Sequence, residues 1–231
     1  MMVIYMDNCR IAASNQSQIE KLIYGLRARR FILHEEGNFE EFLGIGINRG
    51  PDSIGRIHMT QKGLIQKVIN YTGMNKCNPN WTPATLIALG AGADSSEKHK
   101  DCYQWSYTTA VGMLQYLAMN THHDILFAVN QVSRFTHGPK KSHSTAVKTI
   151  VCYLKRTKNK GTYLDQNACY EDPDCFKLEC FVDADFAGLY KQDPDESPSS
   201  AKSRTGYVIR LAGAPLIWKS KLQTEISLST L

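Results

Sequence analysis

Three amphipathic helical patterns follow one another in the middle of this 231-residue chain. Their apolar residues recur three and four positions apart over residues 107–119, 124–135 and 141–155. Segments rich in β-branched and aromatic residues lie before and after them. We predict that these three apolar stripes pack together as a helix–helix core.

Near its start, the chain has two short apolar runs on either side of the polar pair Asp7–Asn8. This pattern predicts a β-hairpin over residues 3–13 with the pair at its tip. Asp and Asn are ordinary turn formers, which is the structural interpretation. A carboxylate at a hairpin tip can also bind a metal ion, so both interpretations remain open for Asp7.

The following segments carry helix and strand signals. Residues 17–20 form a capping-box pattern that predicts the start of a helix. Residues 42–47 and 54–59 predict a second hairpin, and residues 60–73 a further helix. Residues 88–100, rich in small and polar side chains, have the composition of a linker.

A strand-like run over residues 177–182 leads directly into Asp183 and Asp185. Side chains alternate along a strand, so the two carboxylates are expected on one face, where they could share a divalent cation. An Asp at a strand end is also a common turn former, and that interpretation stays open. Two further strand-like runs, 206–211 and 215–218, complete a small predicted sheet.

Charge is unevenly distributed within the net value of +5. Residues 140–160 contain seven Lys/Arg and no acid, whereas residues 165–196 contain ten acids and two lysines. A basic segment beside an acidic one suits a protein that binds a phosphate backbone next to a metal site. A solvated helix face followed by acidic loops is the alternative. The candidate phosphate ligands are Lys140, Lys141, Lys148, Lys155, Arg156, Lys158 and Lys160.

Cysteine usage and hydropathy bear on the compartment. The seven cysteines form no CxxC pair, which fits reduced thiols in a reducing compartment. No apolar run approaches the roughly 18 residues that a membrane span needs, and a signal-peptide pattern is lacking at the N-terminus. We therefore expect a soluble, intracellular protein.

Short motifs occur in a fixed order from end to end. They are Tyr5–Asn8, Phe42–Ile45, Gly73–Met74, Thr82–Pro83, Val111–Leu117, Asp124–Val129, Ser133–Phe135, Pro139–Ala146, Tyr153–Thr157, Asp183–Gly188, Ser203–Tyr207 and Trp218–Gln223. In this order they resemble the YxDD, FLGI, GM, TP, VGxLxYL, RPDIxFAV, SRF, PxxxHxxA, YLKGT, DADWAG, STSGY and WxSKKQ motifs of one family. That family is the reverse transcriptase–ribonuclease H region of copia-type long-terminal-repeat retrotransposons.

The resemblance implies an α+β fold made of several parts. Residues 1–85 would be a partial reverse transcriptase, with the last palm hairpin and a thumb-like part, and residues 86–100 a linker. Residues 101–160 would be the helical connection, and residues 161–231 an incomplete ribonuclease H-like sheet of antiparallel strands. Such a sheet without its covering helices would leave an apolar face in water. The residues expected on it are drawn from Leu178, Phe181, Val208, Leu216 and Trp218.

The resemblance also implies Mg²⁺-dependent DNA synthesis and degradation of RNA in RNA–DNA hybrids. Two-metal transfer needs several carboxylates around ions about 4 Å apart. Asp7 matches the first aspartate of the polymerase motif, but Asn8 replaces the second, and a neutral amide weakens a Mg²⁺ site. Asp183 matches the first ribonuclease H aspartate, and the partners of both would lie beyond the chain's ends. We therefore expect incomplete metal sites and an inactive chain.

Two other interpretations remain open. The chain could be a non-catalytic module that binds RNA, DNA or their hybrid through the basic residues of segment 140–160. It could also be a piece of an intact polyprotein. The resemblance places the family's activity in the cytoplasm and the nucleus, and no targeting signal was found that selects between them.

Overall fold

The structure is a computed structural model, and it contains helices and antiparallel sheets in two compact units, Met1–Phe39 and Glu40–Leu231. It describes residues 2–5, 8–35, 40–49, 56–84, 89–90, 97–165, 177–188 and 201–226. Among these, no helix combines the length and apolar character that crossing a membrane requires.

The described residues of the first unit form a hairpin and a helix. Strands β1 (Met2–Tyr5) and β2 (Asn8–Ile11) pair antiparallel, which confirms the predicted hairpin. Asn8, predicted at its tip, instead belongs to β2 and lies opposite Tyr5. Asp7 itself lies outside the described residues. Helix α1 (Gln16–Ala28) begins earlier than predicted, because the side chain of Asn15 accepts a hydrogen bond from the Gln18 amide. The predicted capping box at residues 17–20 is therefore wrong.

The second unit opens with a four-stranded antiparallel sheet in the order β3-β4-β5-β6. Its strands are β3 (Glu41–Phe42), β4 (Ile45–Asn48), β5 (Arg56–Thr60) and β6 (Thr162–Asp165). The predicted strand over residues 42–47 is interrupted at Leu43 and Gly44, which both adopt positive φ and form a tight turn.

In the part of this unit that the structure describes, five helices and one 3₁₀ turn build the core. They are α2 (Lys62–Tyr71), α3 (His99–Cys102), α4 (Tyr107–Asn120), a 3₁₀ turn (His123–Ile125), α5 (Leu126–Ser133) and α6 (Lys141–Arg156). The three apolar stripes predicted over 107–155 are buried in one cluster, together with Ile65 and Val68 of α2. Leu114, Val147 and Leu154 are completely inaccessible. The helical part of the prediction is thus confirmed.

This core joins residues from both sides of the predicted linker. The described end of the linker is bound to the start of α6, since the Lys141 amide donates to Glu97 O at 3.1 Å, and to the residue before its N-cap, since the His99 amide donates to Pro139 O at 2.8 Å. At the other predicted boundary, β6 pairs with β5 and so belongs to the first sheet. A side chain at Gly161 would clash with the carbonyl oxygen of Met59, which explains glycine at the entry to β6. The family's domain boundaries stay a prediction.

The second sheet is an antiparallel meander of β7 (Leu178–Ala184), β8 (Arg204–Leu211) and β9 (Ala214–Leu222). The register places Phe181 opposite Val208 and Val208 opposite Trp218, so these three share one face. The indole N–H of Trp218 donates to Ala118 O at 2.7 Å and attaches this face to α4. Strand β9 also packs against α5 and β6.

The uncovered apolar face predicted from the sequence is present only in part. Three of the five named residues are exposed: Leu178, Phe181 and Leu216. Val208 and Trp218 are half-buried, because α4 and the 3₁₀ turn lie against their face of the sheet.

Candidate functional site

Asp183 lies at the end of β7 in a cleft between the second sheet and the helices. The cleft has a volume of about 340 Å³, and Asp183, Asp124, His123 and Trp218 contribute to its lining. Asp183 is exposed and pairs with Gly206 of β8. The predicted ribonuclease H aspartate is therefore accessible to solvent and flanked by a second carboxylate from the helical part.

Asp185, for which a shared cation and a turn-forming role were both open, holds its own turn together. Its carboxylate accepts a hydrogen bond from the Arg204 amide, and its amide donates to Arg204 O at 3.0 Å. The Ala187 amide donates to Ser203 Oγ at 3.1 Å. A side chain at Gly188 would clash with the Asp185 carboxylate. The turn-former interpretation is thus the one that the contacts support for Asp185.

The carboxylates at this strand end do not fit a two-metal Mg²⁺ centre. Within the described ranges, no three or more His, Cys, Asp or Glu side chains come together as a set that could hold a metal ion. Asp183 brings a single carboxylate from β7, and one oxygen of Asp185 already accepts from the Arg204 backbone. Asp7, the predicted polymerase ligand, lies outside the described residues.

Asp124 is the most constrained carboxylate of the cleft. Its Oδ2 accepts a 2.6 Å hydrogen bond from the Tyr153 hydroxyl, and its Oδ1 lies 3.3 Å from Nδ1 of the buried His122. Burial acts to raise the pKa of Asp124, but the hydrogen bonds from His122 and Tyr153 outweigh burial, and the pKa is lowered. Burial and the bond to Asp124 raise the pKa of Tyr153. The pair is thus a neutral donor bound to an ionised acceptor.

Two other contacts also join residues of different motifs. The hydroxyl of Tyr116 donates to Leu43 O at 2.8 Å, across 73 residues. The imidazole of His143 is stacked on Phe135 with ring centroids 3.8 Å apart. Its Nδ1 accepts from the Lys140 amide at 3.1 Å, so Nε2 carries the proton and donates to Gly90 O at 3.0 Å. These motif residues hold the fold together.

The basic residues predicted to bind phosphate lie on α6, at its N-cap and in the segment after it, but several are already engaged. Lys155 Nζ donates to the carbonyl oxygens of Asn75 and Cys77 at 2.7 and 2.9 Å. Lys158 Nζ donates to Gln66 Oε1 of α2 at 2.7 Å. Lys155 therefore attaches α6 to the loop after α2, and Lys158 attaches the segment after α6 to α2.

The other five candidate phosphate ligands differ in their surroundings. Lys140 is half-buried at the N-cap of α6. Lys141 pairs with Glu97 at 2.7 Å, and this hydrogen bond raises its pKa. The other three lie over aromatic rings: Lys148 at 4.0 Å from the Tyr103 centroid, Arg156 at 3.1 Å from that of Trp81 and Lys160 at 6.0 Å from that of Tyr153.

The elements that pack together here share one electrostatic property. Residues 53–93 and 125–164 contain 12 of the 27 Lys/Arg and none of the 22 Asp/Glu. Helix α2, the loop after it and α6 all fall in these two segments and are in contact. We call the surface of α2, the loop after it and α6 the acid-free surface, because these elements themselves contain no carboxylate; Glu97, which pairs with Lys141, comes from outside them. Such a surface attracts polyanions.

Sequence reasoning missed two groups as site residues. Asp124 and Tyr153 were recognised only as members of motifs, and nothing local indicates that they bind each other across 29 residues. Trp81 stood beside the TP motif with no assigned role. Its only sequence signal was a large aromatic residue next to Pro83 in a loop.

The fold and the site together define a mixed α and β protein with antiparallel sheets, a helical core and an acid-free basic surface. The chain is 30% identical over 97% of its length to the retrovirus-related Pol polyprotein from transposon RE1 of Arabidopsis thaliana. It is 31% identical over 100% of its length to that from transposon TNT 1-94 of Nicotiana tabacum. The chain belongs to the Pol polyprotein family of copia-type retrotransposons.

The chain spans only 14% and 16% of those two polyproteins. It is also 28% identical to an uncharacterized mitochondrial protein of Arabidopsis thaliana, over 99% of this chain and 86% of that protein. No family model matches the chain. No solved structure is significantly similar to it.

Proposed function

We propose that this chain is the part of a copia-type Pol polyprotein that holds nucleic acid between the polymerase and ribonuclease H centres, without catalysing either reaction itself. Residues 1–85 correspond to the palm hairpin and thumb-like part, 101–160 to the connection and 161–231 to the ribonuclease H-like sheet. Support comes from the order of the motifs and from similarity to Pol polyproteins over the whole chain.

The observation that carries nucleic-acid binding is the acid-free surface of α2, its following loop and α6. Lysines on such a surface bind phosphates and release condensed counterions, so affinity falls with salt. The partners we propose are RNA, DNA or their hybrid. Lys155 and Lys158 contribute indirectly, since their ammonium groups hold the loop and α2 in place.

The proposal of no catalysis rests on donor chemistry. Asn8 supplies a neutral oxygen at the polymerase motif, and Mg²⁺ sites in this chemistry are built from carboxylates. At the ribonuclease H motif, Asp185 accepts from the Arg204 backbone rather than standing free beside Asp183.

The catalytic prediction is tested with the purified chain. We expect no primer extension on a primed RNA template and no RNA cleavage in an RNA–DNA hybrid, with Mg²⁺ or Mn²⁺. Asp183→Asn serves as the control, because Asp183 is exposed and we expect its replacement to leave the fold unchanged. Hybrid cleavage that the wild type shows and Asp183→Asn abolishes would contradict the proposal.

Binding is tested through its dependence on salt. Replacing Lys76, Lys148 and Lys160 together by alanine should lower the log–log slope of affinity against salt by about 2, since each lost phosphate contact on a single strand removes about 0.7. Lys219→Ala with Lys221→Ala on β9 is the matched control, because both residues are exposed but lie on the second sheet. An unchanged slope in the triple variant would contradict this placement of the nucleic acid.

A further inference from the structure

Trp81 is an exposed tryptophan on the acid-free surface. Its side chain is 77% exposed, whereas Trp105 is buried and Trp218 is half-buried against α4. An indole left in water forgoes the stabilisation that burial would provide, so a tryptophan at such a position calls for a specific explanation.

One face of this indole is covered by a cation from α6. The guanidinium carbon of Arg156 lies 3.1 Å from the Trp81 ring centroid, and Arg156 is itself exposed. Because the planar guanidinium covers one face of the ring, the exposed area of Trp81 lies on its opposite face and its edges. The result is a flat, cation-backed aromatic surface open to solvent.

The backbone that presents Trp81 is anchored to α6. The Asn80 amide donates to Cys152 O at 3.3 Å, and the Asn80 side chain approaches Thr149 O at 3.5 Å. Earlier in the same loop, Lys155 binds the carbonyls of Asn75 and Cys77, on either side of Lys76. The ring is therefore held in place before any ligand arrives, which reduces the entropy lost on binding.

We propose that the Trp81–Arg156 stack binds an unpaired base of single-stranded nucleic acid, with phosphates contacted by exposed lysines of the same surface. This proposal deepens the proposed function and rests on it, because it specifies where and in which form the nucleic acid is held. A single strand is indicated because only an unpaired base exposes a face to an aromatic ring, and stacking combined with a basic surface is the usual mode of single-strand binding. Stacking is tolerant of base identity, so little sequence preference is expected.

The test compares the full chain with Trp81→Ala, using a labelled oligothymidylate and a duplex of equal length as probes. Trp81→Ala should weaken oligothymidylate binding by roughly five- to 100-fold while leaving duplex binding unchanged. Trp81→Phe, which keeps an aromatic face, should recover much of the affinity. Tyr24→Ala is the control, because Tyr24 is also 77% exposed but lies on α1.

Tryptophan fluorescence adds a second readout. The emission of Trp81 should be quenched when oligothymidylate stacks on it, and Trp81→Phe should remove this quenching. Equal oligothymidylate affinity in the wild type and Trp81→Ala would overturn the proposal, as would an equal loss for duplex and single strand. A wild-type chain that binds no nucleic acid at all would refute the proposed function, and this inference with it.

Discussion

Replacing Asp124 by alanine should lower the free energy of unfolding by about 2–4 kcal/mol, one of the two largest effects expected in this chain. The variant leaves the Tyr153 hydroxyl and the His122 Nδ1 without their common acceptor, and both of these side chains are buried. An orphaned buried donor costs the full desolvation penalty rather than the modest net value of one hydrogen bond. Urea denaturation followed by circular dichroism measures the change.

A double-mutant cycle of Asp124→Ala with Tyr153→Phe isolates the interaction energy between these two side chains. If the 2.6 Å bond is as strong as its geometry indicates, the two substitutions should be non-additive by about 1 kcal/mol or more. Asp101→Ala is the control, since Asp101 is an exposed carboxylate in the first turn of α3. Simple additivity of the Asp124 and Tyr153 variants would show that the bond contributes nothing.

The same carboxylate should make stability depend on pH. Because the folded chain lowers the pKa of Asp124, its ionised form contributes stability that is fully present above the unfolded pKa, about 4. The contribution is lost as pH falls through the lower folded pKa. The stability difference between wild type and Asp124→Asn should therefore be constant near neutral pH and shrink below about pH 4. A difference that grows on acidification would contradict the assignment.

The second large effect is expected at His143. Replacement by alanine should cost about 2–4 kcal/mol, because it opens a cavity beside Phe135 and leaves a buried carbonyl, Gly90 O, without its donor. The Lys140 amide also loses its acceptor at the start of α6. Denaturant unfolding gives the total cost, and hydrogen exchange at the Lys140 amide reports the local part.

Thr145→Ala is the matched control on the same helix, because Thr145 is exposed and its hydroxyl bonds only the Lys141 carbonyl within α6. It should change stability by a few tenths of a kcal/mol at most. If His143→Ala is no more destabilising than Thr145→Ala, the histidine does not hold the start of α6 in the way that its contacts indicate.

Much of the fold could be predicted because its signals are local. The spacing of apolar residues identified α4, α5 and α6, and paired strand-like runs identified the hairpin of β1 and β2. Errors arose where two local signals compete. At the start of α1, Asn15 and Ser17 both suit an N-cap, and only the backbone conformation of Asn15, which is extended, selects the first.

Strand β6 is a different case. The family resemblance places residues 162–165 in the ribonuclease H-like part, yet they pair with β5, which lies more than a hundred residues earlier. Pairing between strands so distant depends on the helical core that brings their ends together. The sequence of neither strand by itself indicates this pairing.

For the candidate site too, some properties follow from the sequence and others only from the tertiary structure. Motif order and composition determined by themselves that this is a copia-type Pol chain with a basic, acid-free region, because both are properties of the linear sequence. Only the tertiary structure decided what the individual residues do. In it, Lys155 and Lys158 make structural hydrogen bonds, Tyr153 donates a hydrogen bond to Asp124, and the Arg156 guanidinium lies over the Trp81 ring. These roles depend on distances between residues far apart in the chain, and those distances are set by how the helices pack.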